Sequence, residues 1–281
     1  MMRILSRCLS SSAVICLLSV AAIAQSPAVP PIQDNSFLVE EAYNQNFGVV
    51  QHINSFMRLW DSKDWVYTFT QEWPVPGDAR HQLSYTLAAT HSGDFPGSGA
   101  GFGDVLLNYR YQVLGDGNAK LAFAPRLSLI CPTGDPAFGR GSGGFGMQTS
   151  LPWSIVLSKK WVSHWNAGAT LVPHAQNEVG DRAFAASYNL GQSFVWLAAP
   201  RFNVLLETVF ARSQSVTGPD KADWSSSLFL NPGIRWAYNF KSGLQIVPGI
   251  AAPLGVGPSA GEKGVFVYLS FEHPFRKIPK N

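Results

Sequence analysis

The chain has 281 residues, of which 14% are charged and 46% hydrophobic. Soluble domains ordinarily carry roughly a quarter charged residues, so this composition argues against a charge-rich soluble surface while showing no excess of apolar residues. The formal charge of +3 comes from 21 Lys and Arg against 18 Asp and Glu, too even a balance to mark a nucleic-acid partner.

The first residues, Met1 to Arg7, form a short basic segment, and an apolar run from Ala13 to Ala21 leads into Ala22-Ile23-Ala24. A basic start, an apolar run of about a dozen residues and a small-x-small site predict a secretory signal peptide over residues 1–24. A membrane anchor, the alternative, needs roughly 20 apolar residues. Val14-Ile15 ahead of Cys16 gives no lipoprotein site, so Cys8 and Cys16 leave with the peptide. Arg3 and Arg7 leave too, which brings the mature chain to 19 basic and 18 acidic residues. Cys131 is then the remaining thiol; it cannot form an internal disulfide, and no His/Asn signature around it marks a catalytic cysteine.

Residues 25–47 begin with the Pro-rich QSPAVPPIQDNS and are expected to form a periplasmic lead-in or a partial plug. Phe37 to Gln45 reads as a short strand or a helix of one to two turns, and Glu40-Glu41 makes a lipid-facing role there untenable. From Gly48 onward twelve strand-like runs follow, at about 48–60, 63–73, 80–91, 102–114, 119–131, 145–158, 160–173, 182–194, 200–213, 224–240, 242–253 and 263–275. The fourth and fifth are the clearest. Val105, Leu107, Tyr109, Tyr111 and Val113 alternate with Asp104, Asn108, Arg110 and Gln112, and after the turn Gly115–Asn118 the residues Leu121, Phe123, Leu127 and Leu129 alternate in the same way. That is period 2 on both arms of a hairpin.

The connections alternate in length. Short ones fall at 115–118, 158–160, 198–200 and 241–243, and long ones at 91–101, 132–144, 174–181, 213–223 and 253–263; the 61–63 connection is short where a long one is due. Short turns on one side and longer loops on the other are the asymmetry of an outer-membrane barrel, with both termini in the periplasm. No apolar stretch after the signal peptide reaches the length of a spanning helix. The predicted class is therefore all-β: a single antiparallel up-and-down transmembrane β-barrel of about 12 strands over 48–275, with a tail at 276–281. A soluble sandwich or lipocalin-like barrel would carry many Lys and Glu on its wet face. Here the polar faces hold mostly Ser, Thr, Asn, Gln, Gly and Ala, and Trp65, Trp73, Trp153, Trp165 and Tyr238 lie toward strand ends as interface girdles would.

If the apolar faces meet lipid, Arg58, Asp104, Arg110, Arg126, Glu207, Arg235 and Glu272 line the lumen. An Arg or Lys on the lipid face near the midplane would cost roughly 2–4 kcal/mol, so their phase on the polar side carries information. They read either as ion pairs across a filled interior or as a polar track for solute. Leu106, Phe229, Phe266 and Tyr268 also point inward, which predicts a constricted bore.

The run Gly101-Phe102-Gly103-Asp104 with Tyr109-Arg110-Tyr111, then Leu127-Ser128-Leu129 and Pro132-Thr133-Gly134-Asp135, with Ser142-Gly143 and Asn166-Ala167-Gly168, resembles a known family. It is similar to the transporter-like outer-membrane proteins grouped as the putative meta-pathway of phenol degradation family. The Pro-Thr-Gly-Asp strand end with its Gly-rich loop is the most specific part, and weaker similarity spreads from about residue 36 to the end. The resemblance implies a signal peptide, a barrel of about twelve strands and passive uptake of small, often hydrophobic molecules. It supplies no catalytic or ligand residues to carry over, and its phenol-linked name identifies no substrate.

Other chemistry finds little support. Gly139-x-Gly141-x-x-Gly144 and Gly141-x-Gly143-x-x-Gly146 match a dinucleotide pattern but lead into a strand rather than a helix, so a flexible outer loop explains them better. None of the six histidines has a paired metal spacing, and none sits in a Ser/His hydrolase pattern. The expectation is a barrel without cofactor, metal or enzymatic activity. Its expected partners are outer-membrane lipid, a small solute and the barrel-assembly machinery; a non-conducting structural or surface-interaction barrel is the alternative.

Overall fold

The computed structural model describes residue 32 and residues 34–94 and 99–275. The predicted signal peptide, the first part of the lead-in and the tail at 276–281 lie outside the described residues. No helix among the described residues is long and apolar enough to cross a membrane.

Twelve antiparallel strands make up the wall among the described residues. They are β1 (Val49–Leu59), β2 (Trp65–Val75), β3 (Asp78–His91), β4 (Gly101–Phe102 and Val105–Tyr111), β5 (Leu121–Phe123 and Arg126–Cys131) and β6 (Gly146–Ser158). The second half comprises β7 (Trp161–Gln176), β8 (Arg182–Ala199), β9 (Phe202–Gly218), β10 (Lys221–Trp236, continued by Tyr238–Asn239), β11 (Gln245–Ala251 and Leu254–Gly255) and β12 (Gly264–Pro274). Each strand pairs with the next, and β12 pairs with β1 from Val49↔Pro274 to Leu59↔Gly264. The sheet therefore closes on itself and leaves no edge.

The period of 2 decides what each wall residue meets. On β4 Leu107 is 49% exposed and Tyr109 41%, whereas Asn108 is 6% and Arg110 2% exposed. Across the ladder Leu107 faces Leu129, Asn108 faces Ser128 and Tyr109 faces Leu127. Leu129 in turn faces Met147 on β6, which faces Leu171 on β7. These exposed apolar side chains make a continuous outer band, the inverse of a soluble core. Aromatic pairs sit at both ends of it. Trp161 stacks on Trp196 and Phe123 on Trp153 at one end, and Tyr188 stacks on Trp224 at the other.

One connection departs from the expected pattern. The long loop expected at 213–223 is a two-residue turn, Pro219-Asp220, because the β9–β10 ladder continues to Gly218↔Lys221. Asp220 takes the left-handed conformation (φ 55°) that so tight a turn requires. Strands β7 to β10 run 16 to 18 residues, where about 9–11 suffice to cross a bilayer, so this side of the wall projects beyond the apolar band. Phe37 to Gln45, expected as a strand or a helix, is neither.

The Gly-rich outer loop after β5 is tied down rather than flexible. The Asp104 carboxylate accepts hydrogen bonds from Gly134 N (3.0 Å), Ser142 N (2.7 Å) and Ser142 Oγ (2.6 Å). Gly141 packs against that carboxylate at φ 105°, where a Cβ would lie 2.4 Å from Asp104 Oδ1. Asp104→Ala should leave the amides of Gly134 and Ser142 without their acceptor, while Ser142 Oγ keeps Gly144 O at 2.8 Å, a local loss of about 1–3 kcal/mol. Limited proteolysis between Pro136 and Gly144 should accelerate, while heat-modifiable gel mobility, the mark of a closed barrel, stays unchanged.

Candidate functional site

Twelve strands about 4.8 Å apart and tilted by roughly 40° give a wall circumference of about 75 Å, hence a backbone diameter of about 24 Å. Inward side chains take about 5 Å from each side. The remaining bore of about 14 Å would be open if nothing filled it. Residues 34–47 fill it.

This segment has no secondary structure of its own, so its backbone groups need partners from the wall. Glu207 on β9, fully buried, accepts from three consecutive amides through one carboxylate oxygen: Phe37 N at 2.9 Å, Leu38 N at 3.0 Å and Val39 N at 3.1 Å. Its other oxygen accepts from Asn231 Nδ2 at 2.7 Å. Asn166 on β7 pairs with both backbone groups of Glu40. Ser154 Oγ accepts from Ala42 N, Gln112 bonds Ala42 O and Asn44 N, and Gln82 Oε1 accepts from Gln45 N. At the start of the segment Asp34 accepts from Gln51 Nε2 (2.8 Å), Tyr268 Oη (2.5 Å) and Ser270 Oγ. Arg235 donates to the carbonyls of Asp34 and Asn35.

Apolar contacts accompany these bonds, with Ala42 and Tyr43 packed against Ala122 and Ala124 and Phe37 as the larger anchor. Phe37 packs its ring 5.4 Å from Phe266 and 5.6 Å from Tyr268. Gly233 and Gly249 make room for it, since a Cβ at either would come within about 2.6 Å of the ring.

The charged centre lies at Glu40. Arg126 donates to its carboxylate from Nε (3.1 Å) and Nη2 (2.5 Å), and Arg110 Nη2 reaches it at 3.2 Å. Arg110 also donates to Tyr43 O and lies 4.0 Å from Glu72. Burial by itself would raise the Glu40 carboxyl, but the two guanidiniums outweigh it and hold the group at about 2.

Space remains on both sides of the segment. Toward the outer mouth a cavity of about 240 Å³ is lined by Thr68, Thr70, Thr86, Asn108, Arg110 and Glu40, and one of about 70 Å³ by Glu40, Arg126, Gln148 and Asn189. A vestibule of about 320 Å³ lies between Gly139–Ser142 of the outer loop and β7 to β9. On the side of the 159–160 turn a cavity of about 220 Å³ is lined by Glu41, Tyr43, His164, Arg235, Val162 and Leu197.

The seven sequence-predicted residues separate into groups. Arg110, Arg126, Glu207 and Arg235 point inward and hold the luminal segment. Asp104 stands in the inward phase at the outer mouth, but its carboxylate binds the outer loop. Glu272 is half-buried in the inward phase, level with Gln51 and Gln245. Arg58 is a correction. β1 turns Gln51, Ile53, Ser55 and Met57 inward, so Arg58 lies on the outer face opposite Trp65, at the rim, where Nη1 donates to Lys63 O at 2.6 Å. There its head group reaches water, so it escapes the midplane penalty.

Sequence reasoning missed Glu40 as an ion-pair partner, together with Asp34, Gln51, Gln82, Gln112, Ser154 and Asn166. The six outside Glu40 are polar residues that no local pattern marks as partners of the segment. The structure also brings Ser154 Oγ within 2.7 Å of His164 Nδ1. That hydroxyl is fully buried and already accepts from Ala42 N, which leaves it unsuited to attack a substrate. No cluster of His, Cys, Asp and Glu among the described residues could hold a metal ion.

The comparisons agree with this architecture. The family described as "Putative MetA-pathway of phenol degradation" matches residues 62–271. The chain resembles the COG4313 outer membrane channel from Pseudomonas putida F1 with a TM-score of 0.61 at 14% identity, covering 83% of this chain and 97% of that one. It resembles the NanC porin with a TM-score of 0.50 at 8% identity, covering 80% and 98%. At these identities the likeness is one of fold: a closed outer-membrane β-barrel set in lipid. No curated protein matches the chain by sequence.

Proposed function

The chain belongs to the Putative MetA-pathway of phenol degradation family, and from that premise we propose that it is a narrow passive channel of the outer membrane for small molecules, apolar or aromatic ones among them. Residues 34–47 act as its plug. One observation carries the reading: the same short segment lines a cavity of about 240 Å³ on the outer side, through Phe37, Leu38 and Glu40, and one of about 220 Å³ on the other, through Glu41 and Tyr43, so a single stretch of peptide separates the two ends of the lumen. The ties across it are hydrogen bonds and ion pairs to wall side chains, which can exchange with water at little net cost. Passage by diffusion needs no cofactor and no catalytic step. The barrel-assembly machinery inserts the wall, whose last strand is followed directly by the aromatic Phe275.

Planar-bilayer recording and liposome swelling test the proposal. A channel of this kind gives small, steady currents and admits small solutes faster than large ones. The second reading is a structural barrel that does not conduct, favoured by how completely the wall satisfies the segment's amides. A folded, heat-modifiable protein that stays silent in both assays would establish that reading instead.

A further inference from the structure

Arg110 on β4 and Arg126 on β5 are direct ladder partners, and both point into the lumen. Like charges directly opposite one another across a sheet repel, so two facing arginines in one wall call for an anion between them. The wall supplies little of it. Glu72 lies 4.0 Å from Arg110, and its carboxylate is engaged by Gln82 Nε2 at 2.8 Å. The anion that Arg126 grips through two of its nitrogens, and that Arg110 also reaches, is the Glu40 carboxylate, which arrives on the plug.

We infer that this arginine pair is a binding site for small carboxylate solutes, which Glu40 fills as an internal stand-in, and that exchange of Glu40 for a solute carboxylate loosens the plug. The inference rests on the channel reading and adds to it a ligand class and a trigger. Three features support it. The two guanidiniums present a fork whose geometry matches a planar carboxylate, and neither can lose its charge. Of the three charged side chains Glu40 is the most accessible, with 25% of its side chain exposed against 13% for Arg126 and 3% for Arg110. Glu40 also borders both outer cavities, so a solute arriving from the outer mouth reaches this carboxylate from either of them. Thr68, Thr70, Thr86 and Asn108 around the larger cavity offer hydroxyl and amide groups to the rest of such a solute. Exchange keeps a carboxylate between the two arginines and frees the Glu40 end of the plug, while the Glu207 clamp holds the Phe37 end.

The test uses the mature chain in planar bilayers at neutral pH, with succinate as probe and erythritol as a neutral control of similar size. Succinate should raise the wild-type conductance about fivefold or more, at the lower end of ordinary ligand-linked coupling, and the effect should saturate; erythritol should do nothing. Glu40→Gln should conduct more without succinate and should favour chloride over potassium in a salt gradient. Arg126→Gln should need about tenfold more succinate for the same effect. A wild-type conductance indifferent to succinate, or an unaltered response in Arg126→Gln, overturns the inference. A variant lacking residues 34–45 separates the two levels. If it conducts while the succinate results are negative, only the carboxylate site fails; if it too is silent though its gel mobility shows a closed barrel, the channel reading fails with it.

Discussion

Deleting residues 34–45 from the mature chain should raise the single-channel conductance on the order of tenfold or more, because it empties a bore that twelve strands hold open at about 14 Å. Eight-stranded barrels are filled by their own inward side chains, whereas a wall of twelve is not. Here the deleted residues supply the missing fill: Phe37 against Phe266 and Tyr268, Glu40 between Arg110 and Arg126, and a run of amides on Glu207, Asn166, Ser154 and Gln82. Buried groups that lose a partner ordinarily cost about 1–3 kcal/mol each, which would argue that the deletion unfolds the protein. A water-filled lumen removes that penalty, since water replaces the lost partners. The wall closes through its own ladder from β12 to β1, so the truncated chain should keep its heat-modifiable mobility. A truncated barrel that folds yet conducts no better than the full chain would show that the outer loops, rather than the segment, close the passage.

The second large effect concerns the outer wall. Leu107→Arg should cost roughly 2–4 kcal/mol of barrel stability, the range for a guanidinium facing lipid near the midplane. Leu107 is half exposed, lies near mid-height on β4 and faces Leu129 across the ladder. Trp65→Arg, at the rim beside the natural Arg58, should cost only about 0–1 kcal/mol. Urea titration of refolding into lipid vesicles measures both. Equal costs at the two positions would contradict a depth-dependent lipid environment.

What could be read from the residues follows from where the bilayer acts on them. Within the apolar band every second residue must be apolar, so the β4–β5 hairpin announces itself from Leu107, Tyr109, Leu127 and Leu129 alone. Beyond the band that demand lapses. The ends of β9 and β10 pair Ser213 with Ser225 and Ser215 with Asp223, a polar ladder that reads as a loop although it is strand. The same lapse explains Arg58, which sits on the outer face at a height where charge is tolerated. The plug was legible only as a possibility, because Phe37 to Gln45 owes its course to side chains of the wall rather than to a period of its own. Glu40 meets Arg110 and Arg126 across 70 and 86 residues of chain; no local pattern could reveal that pairing.

The central claim is that successive residues of each strand meet lipid and a filled interior in turn. Nitroxide labels at single cysteines, in a Cys131→Ser background reconstituted into liposomes, test it on β4 and β5. Labels at 107, 109, 127 and 129 should collide readily with oxygen and scarcely with a water-soluble nickel reagent, while labels at 108 and 128 should be protected from oxygen. Protection at 107, 109, 127 and 129, with oxygen reaching 108 and 128, would turn the barrel inside out and contradict the account.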